Sequence, residues 1–221
     1  MKIQKLRRFF LAVSYVGIIV SMTGCVSFFT RSFAAQVVDS TNQPLSDAFV
    51  IFDYSGGNIA GSYSFGASMV KTGENGKFTI PSFVHFHNPI FETGATPDIM
   101  GVYSPTTHSF VSQGDFLKDF NDQRPSKHRA TLPDNTGNSG AWANSLHNVV
   151  FAFDNMLMEN KGSMDAIPAP RKIKKEFVDM LQSEFDQFNA RYGKTSDASS
   201  VFFKSDESSV REWQKELHSL P

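Results

Sequence analysis

The sequence has almost no cysteine and no recognisable catalytic motif. Cys25 is the only cysteine among 221 residues, so no disulfide can form within the chain. There is no glycine-rich phosphate loop, no cysteine spacing typical of zinc and no paired-carboxylate signature. These absences favour a protein that is not an enzyme and has no cofactor. An enzyme whose site is assembled in the fold from scattered residues stays open as the alternative.

Positive charge is scarce beyond the N-terminus. The chain has 21 Lys and Arg against 22 Asp and Glu, and Lys2, Lys5, Arg7 and Arg8 come before the first apolar run. Without those four cations the net charge is −5. A mildly acidic chain is a poor nucleic-acid binder, because phosphate contacts need clustered Lys and Arg. We therefore expect no nucleic-acid partner.

The sequence has one long apolar run, and it lies directly after the basic head. Phe9–Val20 is shorter than the roughly 20 residues that a membrane-spanning helix needs. A basic head, a short apolar middle and small residues at the exit are typical of an export signal. The exit, Ser21-Met-Thr-Gly-Cys25, resembles the lipobox of bacterial lipoproteins. The resemblance implies that residues 1–24 are a signal peptide and that acyl chains on Cys25 hold the mature chain on a membrane.

The residue after the cysteine bears on the location. In the lipoproteins that this segment resembles, an Asp there tends to retain the protein at the inner membrane, whereas this chain has Val26. We therefore expect a lipid-anchored protein of the cell envelope, at the outer membrane and facing the periplasm. The alternative is an uncleaved anchor helix, because Phe9–Phe29 carries no charge and is just long enough to span a bilayer.

Short strands are predicted after a spacer over residues 25–32. Alternating or β-branched apolar residues mark Phe33–Val38, Ala48–Tyr54, Gly61–Lys71, Lys77–Ile80, Val84–His87 and Met100–Tyr103. The second strand is expected to stop at Gly56-Gly57, and Phe65, Ala67 and Met69 share one parity in the third. Glu74-Asn-Gly76 predicts a tight hairpin, because Asn-Gly readily supplies positive φ. Such strands, with no helical periods between them, indicate an antiparallel sandwich.

Part of this region resembles a known module. The matching residues are Gln36-Val-Val-Asp39, Gln43-Pro-Leu45, Ala48-x-Val50 and Lys71-Thr72-x3-Gly76-Lys-Phe78-x-Ile80. They are similar to the carboxypeptidase regulatory-like domain, a transthyretin-like β-sandwich, although Asp47-Ala48 stands where that family has Gly-Ala. The resemblance covers roughly residues 34–86. It implies a non-catalytic module for packing or binding and offers no active-site residues to transfer.

Amphipathic helices are predicted in the C-terminal half. Apolar residues recur at helical spacing from Trp142 to Leu157, with a stop near Gly162, and from Ile173 to Tyr192, with a stop at Gly193. The capping box Ser209 to Glu212 predicts a short last helix. The polar stretch 114–138 is expected to be a surface excursion. The predicted fold class is α+β, with a transthyretin-like sandwich over residues 33–112 and a loop and helices packed on it over 113–221.

Two histidines are the strongest metal candidates. His85 and His87 are two apart on a predicted strand and share a face, so both could reach one metal. No spacing fixes a third ligand, and a solvated strand face is the favoured interpretation. The enzyme alternative would combine these residues with His108, His128 and Asp115.

We expect a membrane-anchored, non-catalytic binding or scaffolding module with a protein or cell-wall polymer as its partner. Contact with a carbohydrate or peptidoglycan through exposed Phe, Tyr and Trp is a further possibility that the sequence does not separate from protein binding.

Overall fold

A computed structural model describes residues 26–29, 32–58, 61–87, 96–112, 129–193 and 199–219. The predicted signal peptide, the predicted acylation site Cys25, Asp115 and His128 lie outside these residues. The described strands are β1 Val26–Phe29, β2 Phe33–Asp39, β3 Phe49–Asn58, β4 Gly61–Lys71, β5 Lys77–Ile80, β6 Val84–His87, β7 Thr96–Ser104, β8 Ser109–Ser112 and β9 Arg129–Leu132. The helices that follow are α1 Ser139–Glu159, α2 Arg171–Tyr192 and α3 Ser199–Ser219.

The strands form two main sheets and a two-stranded ribbon. One sheet has the order β5-β2-β9 and the other has the order β4-β3-β7-β8. Every pair in them is antiparallel except β2 with β9, which is parallel. The ribbon joins β1 to β6, so Val26–Phe29, within the predicted spacer, forms a strand.

The molecule has three layers, with a hydrophobic core between each layer and the next. β3 shows how, because Val50 and Phe52 belong to a core shared with the three-stranded sheet, whereas Phe49 and Ile51 belong to a core shared with the helices. Successive residues of a strand point to opposite faces, so one apolar strand can serve both cores. The four-stranded sheet is therefore the middle layer. The predicted α+β class is confirmed: two facing sheets precede three helices.

A β-bulge explains where the alternation in β4 fails. The register of β3 with β4 shifts between Asp53 and Ser55, and Gly66 has φ of 131°. Met69 consequently lies in the helix-side core, whereas Phe65 packs against the core between the sheets. One extra residue on a strand moves every later side chain to the other face.

Two strand expectations are wrong in detail. β3 does not stop at Gly56-Gly57 but continues to Asn58, paired with β4. The turn at Gly76 exists, with φ of 66°, but it joins strands of different sheets, and β5 pairs with β2. The Gly76 carbonyl accepts the Val37 N–H at 2.8 Å, which holds the turn against β2 instead of closing a hairpin.

Capping interactions mark both ends of α1. The side chain of Asn138 accepts the Ala141 N–H at 3.0 Å at the start of α1. At its end, Lys161 takes φ of 62° and Gly162 donates to the Leu157 carbonyl at 2.7 Å, which are features of a Schellman ending. Asp134, which precedes this helix, accepts the Thr136 N–H at 2.9 Å in a turn.

Two further expectations fail in the C-terminal half. α3 begins at Ser199, well before the predicted capping box, which lies inside the helix. Phe203 of this early part packs on Phe185 and Phe188 of α2, with ring centroids 4.7 Å apart in both pairs. This packing on α2 therefore keeps the chain helical before Ser209, where the capping box predicts the start of the helix. The predicted surface excursion also contains β9, which is too short to show a clear alternation.

Candidate functional site

The histidine and aspartate candidates do not form a described site. His85 and His87 lie on β6, where the structure describes the backbone only, so their metal role stays a prediction. Among the described residues, no group of three or more His, Cys, Asp or Glu could hold a metal ion. His108, in the β7–β8 turn with φ of 49°, is the one candidate of the five whose side chain is described. Its partner is Glu184 of α2.

Glu184 is the centre of a buried hydrogen-bond cluster that the sequence analysis missed. One of its carboxylate oxygens, Oε2, accepts the Tyr103 hydroxyl at 2.5 Å and the Trp142 indole N–H at 3.1 Å, and lies 2.7 Å from Nδ1 of His108. The imidazole of His108 stacks on the Trp142 indole, with centroids 3.7 Å apart. Burial, followed by the nearby Glu184 charge, raises the pKa of Tyr103 well above its ordinary value. Tyr103 is therefore a neutral donor to a carboxylate at physiological pH.

This cluster links the middle sheet to the helices. Glu184 is 2% exposed, Trp142 is 1% exposed and Tyr103 has no exposed surface. A carboxylate removed from water in this way needs donors around it, and the three side chains supply them. The arrangement gives the buried carboxylate its partners, and only the His108 side chain, 13% exposed, reaches the surface. We interpret it as a structural link.

One accessible feature of the described chain is a groove between α1 and the helix-facing side of β7 and β8. It has a volume of about 420 Å³, within the range of small-molecule sites. Its lining residues are Met100, Phe110, Ser112, Asn144, Asn148, Phe151, Ala152 and Asn155. None of them carries an ionisable side chain. We call this feature the amide groove.

Three asparagine side chains give the amide groove its polar character. Asn144, Asn148 and Asn155 all come from α1, and no hydrogen bond within the described part of the chain engages their amides. At a rise of about 1.5 Å per residue, Asn148 lies roughly 6 Å from Asn144 and 10 Å from Asn155 along the helix axis. Phe151 stands between the last two and is 60% exposed, one of two large apolar side chains exposed among the described residues.

No family model matches this chain. Comparisons with curated proteins and with solved structures return no match either. No helix among the described residues has the length and apolar character needed to cross a membrane. The functional conclusion therefore depends on the sequence and on the geometry of the amide groove.

The walls of the amide groove are held by the packing beneath them. On the opposite face of α1, Leu146, Val149 and Phe153 have no exposed surface and belong to the helix-side core. On the sheet side, the Phe110 ring lies over Gly101, where any Cβ would overlap it. Glycine at this position lets the ring lie close to the strand and form part of the groove floor. The helix and the strands that carry the side chains of the amide groove are therefore held in place by packing.

The sequence did carry a signal for the amide groove. α1 has no Lys or Arg, although the outward face of a helix normally carries charge. Asparagines occupy that face instead, and Phe151 interrupts them. Asparagine is a poor helix former, so several of them in one helix call for a reason beyond solubility.

Proposed function

We propose that this protein is a non-catalytic binding module of the cell envelope, tethered to a membrane through acylated Cys25, and that the amide groove is its binding surface. The observation that carries the proposal is the set of three asparagine amides without partners in the described chain, arranged beside an exposed phenylalanine on a well-packed helix. Because α1 is held by its packing, a ligand that pairs with these amides orders side chains only and not the backbone.

The use of the buried ionisable groups supports a non-catalytic role. Glu184 and His108 bond to each other within the core, and Lys174 donates to the backbone carbonyls of Met164 and Ile167 at 2.6 and 3.3 Å. General acid or base catalysis needs a titratable group within reach of a substrate. The lining of the amide groove offers amides, one hydroxyl and apolar side chains instead.

The membrane tether is supported by the sequence. A basic head, a short apolar run and a Gly24-Cys25 pair are typical of a lipoprotein signal. Two or more acyl chains would hold the protein stably on a membrane. Val26 after the cysteine favours the outer membrane, facing the periplasm.

We also propose that the two facing sheets are a transthyretin-like sandwich. The residues that carry the resemblance contact one another. Leu45 donates its N–H to the Val37 carbonyl at 3.0 Å, and its own carbonyl accepts the Thr72 hydroxyl at 2.6 Å. Asp39 accepts the N–H groups of Thr41 and Gln43, each at 2.8 Å. The quoted residues therefore form one set of interlocked turns, and such a module serves binding or packing.

One experiment tests the tether and another tests the groove. We expect the Cys25→Ser chain to lose incorporation of labelled fatty acid and to leave the membrane fraction. We expect purified wild-type protein to sediment with isolated cell-envelope polymer and Phe151→Ala to sediment much less. Met158→Ala is the matched control, since Met158 is 75% exposed on the same helix but does not line the groove.

Two results would overturn the proposal. One is equal sedimentation of wild type and Phe151→Ala, which would remove the amide groove from binding. The other is a reproducible hydrolase or transferase activity of the purified protein that a single substitution abolishes.

A further inference from the structure

We infer that the ligand of the amide groove is a neutral oligosaccharide, bound through hydroxyl–amide hydrogen bonds and through stacking on Phe151. The inference rests on the proposed function and assigns a ligand class to the same site. It follows from the absence of charge in the lining, the chemistry of the amides and the position of the groove on the sheet.

The absence of charge selects an uncharged ligand. None of the eight lining residues is ionisable. The titratable groups in the middle of α1 are not among the lining residues: Nδ1 of His147 lies 2.9 Å from a carboxylate oxygen of Asp206 on α3, and burial, together with the Asp206 charge, raises the pKa of Asp154. A phosphate, a sulfate or a carboxylate entering the groove would lose water without gaining an opposite charge.

The amides match hydroxyl groups in both directions. Each asparagine side chain offers two N–H donors and one carbonyl acceptor, and each sugar hydroxyl can donate and accept. Asn144 and Asn155 are about 16 Å apart along the helix axis, estimated from the rise per residue, so the row of amides suits an extended ligand better than a single ring. An oligosaccharide presents hydroxyls along such a length.

The aromatic rings supply the second half of a sugar site. The face of a phenyl ring carries partial negative charge and attracts C–H groups, which cover one side of a pyranose ring. Phe151 is 60% exposed on the helix side, and Phe110 contributes a half-buried ring on the sheet side. A sugar bound between them would place its C–H groups against the two rings and direct its hydroxyls to Asn148 and Asn155.

The position of the amide groove argues against an extended peptide. Peptides that join a sheet use the free N–H and C=O groups of its edge. Met100 and Phe110 line this groove with side chains from the helix-facing surface of β7 and β8. The backbone pairing of these two strands runs beneath that surface. An entering peptide would therefore find the asparagine amides and the Ser112 hydroxyl, without the repeated main-chain bonds that give such complexes their affinity.

The test is calorimetric titration of the purified full-length protein with defined neutral ligands. The probes are the β-linked tetramer of N-acetylglucosamine, cellotetraose, maltotetraose and an uncharged pentapeptide with both ends capped. We expect at least one of the saccharides to bind with a Kd below about 1 mM, and the peptide not to bind. We expect Asn148→Ala to weaken saccharide binding roughly three- to tenfold and Phe151→Ala to weaken it about tenfold or more.

The controls separate this inference from the proposed function. Met158→Ala should bind like the wild type, and all variants should keep the wild-type melting temperature. Binding of the peptide alone, or of no saccharide at about 10 mM, would overturn the oligosaccharide. So would saccharide binding that Asn148→Ala and Phe151→Ala leave unchanged. If Phe151→Ala still abolishes sedimentation with envelope polymer in that case, the proposed function stands and only the ligand class is wrong.

Discussion

Removing the carboxylate of Glu184 should cost the protein a large part of its stability. In Glu184→Ala, the Tyr103 hydroxyl, the His108 ring and the Trp142 indole N–H all lose their acceptor. A buried polar group without a partner costs about 1–3 kcal/mol. His108 keeps a 13% exposed side chain and can reach water, whereas the other two donors are enclosed. We therefore expect the free energy of unfolding to fall by about 4 kcal/mol.

A second substitution at the same position tests the charge separately. Glu184→Gln keeps an acceptor oxygen but makes the three bonds neutral, and hydrogen bonds to charged groups are worth about 1 kcal/mol more than neutral ones. Counting only the two enclosed bonds, from Tyr103 and Trp142, we expect a loss of about 2 kcal/mol, half that of the alanine variant.

Urea unfolding followed by tryptophan fluorescence measures these changes. Glu176→Ala on the same helix is the control, because its ion pair with Lys71 at 3.0 Å lies at the surface and is worth about 0–1 kcal/mol. In a chain of this size, about 4 kcal/mol corresponds to a fall of roughly 8–16 °C in Tm. If Glu184→Ala loses no more stability than Glu176→Ala, the cluster is not the structural link that we describe.

Three further predictions concern a turn, a helix cap and a partly buried carboxyl group of the fold. Gly76→Ala should cost about 2–4 kcal/mol in urea unfolding, because φ is 66° and a Cβ would overlap the Val37 carbonyl, whereas Gly137→Ala in an open turn should change little. Asn138→Ala should cost about 1 kcal/mol through loss of the α1 cap, and Asn138→Asp should restore it. Burial, with smaller contributions from Asp98 and Glu159, raises the pKa of Asp53 from 3.8 to about 6. The protonated acid is thus the form that the fold favours, and its contribution is complete below pH 3.8 and is lost as the pH rises through 6. Asp53→Asn should therefore be more stable than wild type at pH 8, by about 1 kcal/mol after allowance for partial exposure, and the difference should vanish near pH 4. A constant difference across this range would show that the charge of Asp53 is not the cause.

Periodic segments of the chain were predictable, and the pairing between distant segments was not. β2, β4 and the helices α1 and α2 show their period over enough residues to be recognised, and the turn residues on either side mark the short β5. β9 has four residues and pairs with a strand far away in the sequence, so no local pattern marks it. The β3–β4 bulge likewise moves Phe65 to the other core through pairing alone.

Two buried charged residues of α2 were not predicted from the sequence. Lys174 and Glu184 are both buried, although the charged residues of an amphipathic helix normally lie outside its apolar stripe. Glu184 directly precedes Phe185 and lies three residues after Leu181, a position on the inward face that the helical period could have identified. Its partners could not be named from sequence, because Tyr103, His108 and Trp142 come from β7, the β7–β8 turn and α1.

We propose that the amide groove binds an envelope component and that the hydrogen-bond cluster around Glu184, which includes His108, does not. The most direct measurement is sedimentation of purified variants with isolated cell-envelope polymer. We compare the double variant Asn148→Ala/Phe151→Ala with His108→Asn, since asparagine tolerates the φ of 49° at that turn. We expect the double variant to stay in the supernatant and His108→Asn to sediment like the wild type. Sedimentation that His108→Asn abolishes and the double variant retains would contradict it.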